Sequence, residues 1–73
     1  MQLLFFHGTF CPPCESTKKA AEQFAEQSGI DLYTFRCEDV YGGHDMAKQH
    51  HVRHIPCLIL KDDAGKELVR TEA

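Results

Sequence analysis

The chain has 73 residues, of which 42% are hydrophobic and 26% charged, and its formal net charge is −3. A chain this short buries only about 60% of the surface that its unfolded form exposes, so one small domain is the limit and a separate cofactor domain is excluded. The composition argues against disorder, the acidic balance argues against nucleic acid as a partner, and no apolar run approaches the ~18–20 residues that cross a bilayer.

Gln2–His7 is near-continuously apolar and ends at Gly8, which predicts a central parallel strand. No basic region precedes its Leu3–Phe6 core and no small-residue cleavage site follows it. No secretory signal is therefore expected, and the expected location is cytoplasmic, with no membrane partner. In a reducing compartment, four cysteines point to catalysis or metal binding rather than to a disulfide scaffold.

Phe10-Cys11-Pro12-Pro13-Cys14 comes next and opens a helical pattern that runs through Ser28. Thr17, Ala20, Ala21, Phe24, Ala25 and Ser28 fall on one face at spacings of three and four, with charged and amide residues on the other. Glu15 and Lys19 form a four-spaced acid-to-base pair in the favourable orientation. Gly29 stops the helix, and Ile30 supplies the apolar contact of a Schellman cap. Ile30–Cys37 alternates and is rich in β-formers, hence a strand. Glu38–Gly43 reads as a loop, His44–His51 as a short helix, Cys57–Lys61 as a strand, Asp62–Gly65 as a turn and Lys66–Arg70 as a final strand. The order strand, helix, strand, helix, strand, strand gives an α/β fold. Its first two strands are parallel across a right-handed crossover and its last two form a hairpin, in a mixed four-stranded sheet with helices on its faces.

Two cysteines three apart at the mouth of a helix make an asymmetric dithiol. With Cys11 as N-cap, the prolines occupy positions whose N–H groups are orphaned anyway, although Pro13 biases Pro12 away from helical geometry. The Cys14 N–H is then expected to point at the Cys11 sulfur, and the positive end of the helix favours a Cys11 thiolate. Cys14, one turn further in, is expected to be shielded and to act as the resolving thiol. The competing assignment is a metal or iron–sulfur site, with Cys11 and Cys14 joined by Cys57 and by His50, His51 or His54. The two prolines strip N–H donors that such a knuckle uses, and no second Cys-x-x-Cys exists.

The arrangement strand, Cys-Pro-Pro-Cys, helix, then Val52-Arg53-His54-Ile55-Pro56 and a further strand, resembles the thioredoxin superfamily over most of the chain. The resemblance implies a protein disulfide reductase that needs no organic cofactor, with Cys11 and Cys14 catalytic. Phe10, Pro12, His54, Ile55 and Pro56 form the substrate-binding surface. It also implies a cis Ile55–Pro56 bond against the dithiol and an Ile55 backbone that pairs with an extended substrate chain. The partners expected are a disulfide-containing protein and, as electron source, a reductase or glutathione.

Several residues depart from the family pattern. Phe10 stands where thioredoxins usually carry Trp, Phe5 where they carry a buried Asp, Pro12 where they carry Gly (as in tryparedoxins), and Cys57 where Thr commonly follows the cis proline. The Gly-Gly-x-Asp pattern that follows the cis proline in glutaredoxins, with which they bind glutathione, is absent after Pro56. The final helix and the N-terminal strand and helix of thioredoxins are also missing, which suggests a minimal, truncated member. One sheet face is then expected to need a homodimer partner, another docked chain, or polar residues of its own. His7 is expected near the dithiol, Cys57 and Cys37 are expected to pack, and Glu38 and Asp39 are expected to be loop charges.

Overall fold

The computed structural model describes residues 1–72. The elements are β1 (Gln2–His7), α1 (Pro12–Ser28), β2 (Asp31–Arg36), α2 (Gly43–Gln49), β3 (Cys57–Lys61) and β4 (Glu67–Glu72). One sheet holds the strands in the order β2-β1-β3-β4. β1 runs parallel to β2 and antiparallel to β3, and β3 runs antiparallel to β4. This is the expected mixed sheet. No described helix is long and apolar enough to cross a membrane.

The boundaries shift for identifiable reasons. β4 begins and ends later than the sequence pattern implies, at Glu67–Glu72 instead of Lys66–Arg70. The Asp62 carboxylate accepts the Ala64 and Lys66 N–H groups, both at 2.9 Å, which places Lys66 in the turn. At the other end, Thr71 and Glu72 find ladder partners in Leu58 and Cys57. α2 stops at Gln49 rather than His51, because His51 adopts a left-handed φ of 55°.

β1 is central, and its four residues Leu3–Phe6 are all at most 4% exposed. Alternation along the strand sends Leu3 and Phe5 to one face and Leu4 and Phe6 to the other. On the first face, Leu3 packs with Ala21 and Ala25 of α1, flanked by Ile30, Leu32, Leu58 and Leu60. On the second, Leu4 and Phe6 pack with Cys57, Ile59 and Ala47 of α2. Each large side chain buried this way contributes about 1.5–3 kcal/mol.

The inward stripe of α1 is Cys14, Ala21 and Ala25, whereas Ala20, Phe24 and Ser28 are exposed. Ala21 and Ala25 face inward as expected, and the expected face is corrected at Ala20, Phe24 and Ser28. The sheet is narrow, and small residues at 21 and 25 let the helix lie close against Leu3, so the apolar residues one position earlier turn outward. Gly29 closes the helix at φ 65°, and the Ile30 N–H reaches the Ala25 carbonyl at 3.0 Å, as the sequence implies.

β4 divides by chemistry. Toward α2, Arg70 sits opposite Ile59 and Glu72 opposite Cys57. The Arg70 guanidinium donates to the His50 carbonyl at 2.5 Å, to the His51 carbonyl at 3.3 Å and to Glu67 at 2.8 and 3.1 Å. It thereby covers the end of α2 with polar contacts. Toward α1, Val69 sits opposite Leu60 and is 54% exposed, and Leu68 next to it is also exposed, so apolar surface is left open on this edge strand.

α2 meets β2 so closely that a Cβ at Gly43 would collide with the Arg36 carbonyl oxygen. Gly43→Ala is therefore expected to cost about 1–3 kcal/mol, a large part of the margin of so small a core, read as a lower urea midpoint. A second test concerns Cys57, which is fully buried and donates its S–H to Glu72 at 3.8 Å. Burial first, then the Glu72 charge, pushes its thiol up to about 11 from 9.0. The unfolded chain then loses this proton before the folded chain does. Stability should fall between about pH 9 and 11, by on the order of 2 kcal/mol, and the fall should be smaller in Cys57→Ala when thermal midpoints are followed against pH.

Candidate functional site

β1 delivers its last residue, His7, to a short loop that enters α1 at Cys11. Cys11 is the N-cap, and Pro12 and Pro13 fill the first two helical positions, so the restriction that Pro13 imposes does not delay the helix. Cys11 and Cys14 form a disulfide with Cα atoms 5.2 Å apart. Cys14 is 4% exposed and Cys11 is half-buried, which is the asymmetry the spacing implies. One expectation is corrected. The Cys14 N–H donates to the Cys11 carbonyl oxygen at 3.0 Å and not to its sulfur, because the first turn of the helix supplies a backbone acceptor for it. The helix dipole still points its positive end at Cys11.

A cavity of about 470 Å³ adjoins the pair, bordered by Phe5, His7, Cys11, Cys14, Glu15 and Lys18. His7 stacks on Phe5 with ring centroids 5.3 Å apart. No polar or charged residue is fully buried among the described residues. Besides the two cysteines, the titratable side chains bordering this cavity are His7, Glu15 and Lys18.

The loop before Cys11 is held from outside by a residue whose place in the sequence suggests only a loop charge. Glu38 accepts the Thr9 N–H at 2.8 Å, and hydrogen bonding from Thr9, its side chain first and then this N–H, holds the Glu38 carboxyl below the usual 4.5. Phe10, next along, takes a left-handed φ of 54° and is 99% exposed. For a bulky side chain that conformation costs about 1–3 kcal/mol and persists only where neighbours impose it. A Glu just past the end of the second strand is the available signal, but nothing in the spacing pairs positions 9 and 38.

The Ile55–Pro56 bond is cis. The Ile55 side chain lies over Gly8, its Cδ1 2.6 Å from where a Cβ on that glycine would stand. Ile55 and Pro56 are half-buried, and Pro12 and His54 are exposed. The loop after β2 ends at the same edge, because β1 and β2 are parallel, and it presents Val40 and Tyr41, 77% and 95% exposed. Nothing in the sequence pattern singles out these two apolar residues.

The ligand set of a metal site is not assembled. No group of three or more His, Cys, Asp or Glu residues is placed to hold an ion among the described residues. Cys57 lies in the core on the α2 face, whereas Cys14 lies on the α1 side. The His50 ring is engaged with the Met46 carbonyl at 2.9 Å and with Lys61 at 3.2 Å. Cys37 packs against the α2-side core, and burial, then the nearby Glu38, raises its thiol.

No protein-family model matches the chain, and no curated protein sequence does. Solved structures do. Thioredoxin 1 from Thermosipho africanus superimposes with a TM-score of 0.88 at 19% identity, over 100% of this chain and 78% of its own. A single-site mutant of a thioredoxin from Halobacterium salinarum gives 0.80 at 26% identity, over 99% of this chain and 60% of its own. A thioredoxin f2 solved in complex with ferredoxin:thioredoxin reductase gives 0.80 at 16% identity, over 99% and 64%. The chain thus spans less than two thirds of the last two. The fold is that of the thioredoxin superfamily.

If Glu38 fixes the entry loop, the Thr9 amide proton should follow the Glu38 titration by NMR, with a midpoint below 4.5. Exchange of that amide with solvent should speed up several-fold in Glu38→Ala while α1 amides keep their protection.

Proposed function

We propose that this chain of thioredoxin fold is a thiol–disulfide oxidoreductase that reduces protein disulfides through Cys11 and Cys14. The observation that carries the reading is the half-exposed Cys11 bonded to a buried Cys14 at the N-terminus of α1, with Ile55 packed over Gly8, three residues before Cys11. In the reduced protein the Cys11 thiolate attacks one sulfur of the substrate disulfide. A Cys11–substrate disulfide forms, and the other substrate sulfur leaves as a thiolate that takes up a proton. Cys14 then loses its proton and attacks the Cys11 sulfur. The second substrate thiol departs, and the Cys11–Cys14 disulfide seen here remains.

Each residue has a part in that sequence. The helix dipole lowers the cost of the Cys11 thiolate. Burial keeps Cys14 protonated until the mixed disulfide brings a sulfur within reach. Its proton leaves through the adjoining cavity, past His7, Glu15 and Lys18. In this reading Phe10, Pro12, His54, Ile55 and Pro56 form the docking surface for the substrate, and the exposed Val40 and Tyr41 of the loop after β2 extend it. Two electrons from a reductase restore the dithiol. The thioredoxin f2 complex, in which a neighbour of this fold meets a reductase, supports that source over glutathione. A reducing compartment such as the cytoplasm suits this cycle.

Cys14→Ser should accumulate substrate linked covalently to Cys11, visible by intact mass and released by dithiothreitol. Its multiple-turnover reduction should drop on the order of a hundredfold or more. Cys11→Ser should trap nothing. A Cys14→Ser protein that never acquires a linked thiol, while the wild type reduces nothing, would remove the oxidoreductase reading.

A further inference from the structure

A second cavity, of about 350 Å³, opens on the α2 side of the same segment and is bordered by Cys37, His44, Lys48, Val52, Arg53 and Ile55. Its floor is apolar and half-buried, and its rim is basic: His44, Lys48 and Arg53 are all exposed. His44 and Lys48 lie four apart on α2, hence on one face, and Arg53 faces them from the loop that leads to Ile55. No carboxylate borders the cavity. The acids nearby are engaged elsewhere or lie off its lining. Glu38 accepts the Thr9 N–H, Asp39 accepts the Tyr41 N–H, Glu72 is paired with Arg70 and also accepts the Arg53 backbone N–H at 3.4 Å, and Asp45 projects from α2 outside the lining. Neither of the two rim cations, Lys48 and Arg53, forms an ion pair among the described residues.

A concavity lined by basic residues and by no carboxylate is unexpected on a chain of net charge −3. Its position gives it a use. Ile55 borders this cavity and also lies over Gly8, three residues before Cys11. A chain whose disulfide is engaged at Cys11 and which runs past Ile55 therefore reaches the basic rim within a few residues. The apolar floor suits the methylenes of an acidic side chain, and the rim suits its carboxylate.

We infer that this cavity is a subsite for a carboxylate side chain of the disulfide substrate, so that the protein selects partners with Asp or Glu close to the disulfide. The inference rests on the oxidoreductase reading, and it deepens that reading by naming the substrate class.

Two measurements on the full chain test it, one of which needs no turnover. The first titrates the oxidised, isotope-labelled protein with a peptide whose cysteines are replaced by serine and which carries Glu, Gln or Lys two residues away. The Glu peptide should shift the amides of Cys37, Lys48 and Arg53, and the Gln and Lys peptides should not. The second compares kcat/KM for the matching disulfide peptides. Glu should exceed Gln by about three- to tenfold, the range expected for two exposed cations acting together. The advantage should shrink at high ionic strength and vanish in the double variant Lys48→Met with Arg53→Met, on which the Glu and Gln peptides should react alike. Equal rates on the three peptides, or a Glu preference that survives in the double variant, would overturn the subsite while leaving the reductase intact. Shifts at Cys37, Lys48 and Arg53 without reduction of any peptide would support the subsite and count against the reductase.

Discussion

β1 must be covered on both faces, and the remaining architecture follows from that requirement. Four consecutive apolar residues cannot be half-solvated. The chain therefore needs a helix above and a helix below, and strands on both edges to satisfy the backbone. Leu3 and Phe5 call for α1, and Leu4 and Phe6 call for α2. The same strand ends at His7 and hands the chain directly to Cys11, so the element that organises the core also sets the dithiol at the mouth of α1.

The two sulfurs differ in exposure because one helix turn crosses the boundary between solvent and core. Cys11 stays at the rim, where the helix dipole and water both stabilise negative charge. Cys14 goes under the sheet edge, where an ion would be costly. The loop that carries Cys11 is not held by the pair alone. Glu38, from the far end of β2, and Ile55, from the segment before β3, close on Thr9 and Gly8. Three parts of the chain remote in sequence thus meet within a few residues of the sulfur, and they meet because β2 and β3 both flank β1.

The polar side of β4 shows how a small chain finishes a core with little apolar material. Arg70 spans from Glu67 and Glu72 to the carbonyls at the end of α2, which would otherwise lack partners. Beneath it the Cys57 thiol is sealed from solvent and held protonated, which sets it apart from the Cys11–Cys14 pair.

The order of the elements, the dithiol and the proline-marked segment were legible in the sequence because each has a local cause. A period of two or of 3.6 declares strand or helix, Gly29 declares a helix end, and a Cys-Pro-Pro-Cys run after a strand declares a helix mouth. The resemblance carried by that run and by Ile55-Pro56 matched both the fold and the cis bond. What the sequence could not show are pairings over long separations. The inward stripe of α1 depended on where Cys14 meets the sheet, which moved Ala20 and Phe24 outward. The acceptor for the Cys14 N–H depended on a turn geometry that a sulfur does not fit. Glu38 with Thr9, Arg70 with His50 and His51, and the basic ring around Cys37 have no periodicity to announce them. Local backbone preference and hydrophobic pattern act within a few residues and are written in the chain. The loop anchors and the two cavities arise only when the parallel β1–β2 pair and the antiparallel β3 bring distant loops to one end of the sheet, so only the tertiary structure decides them.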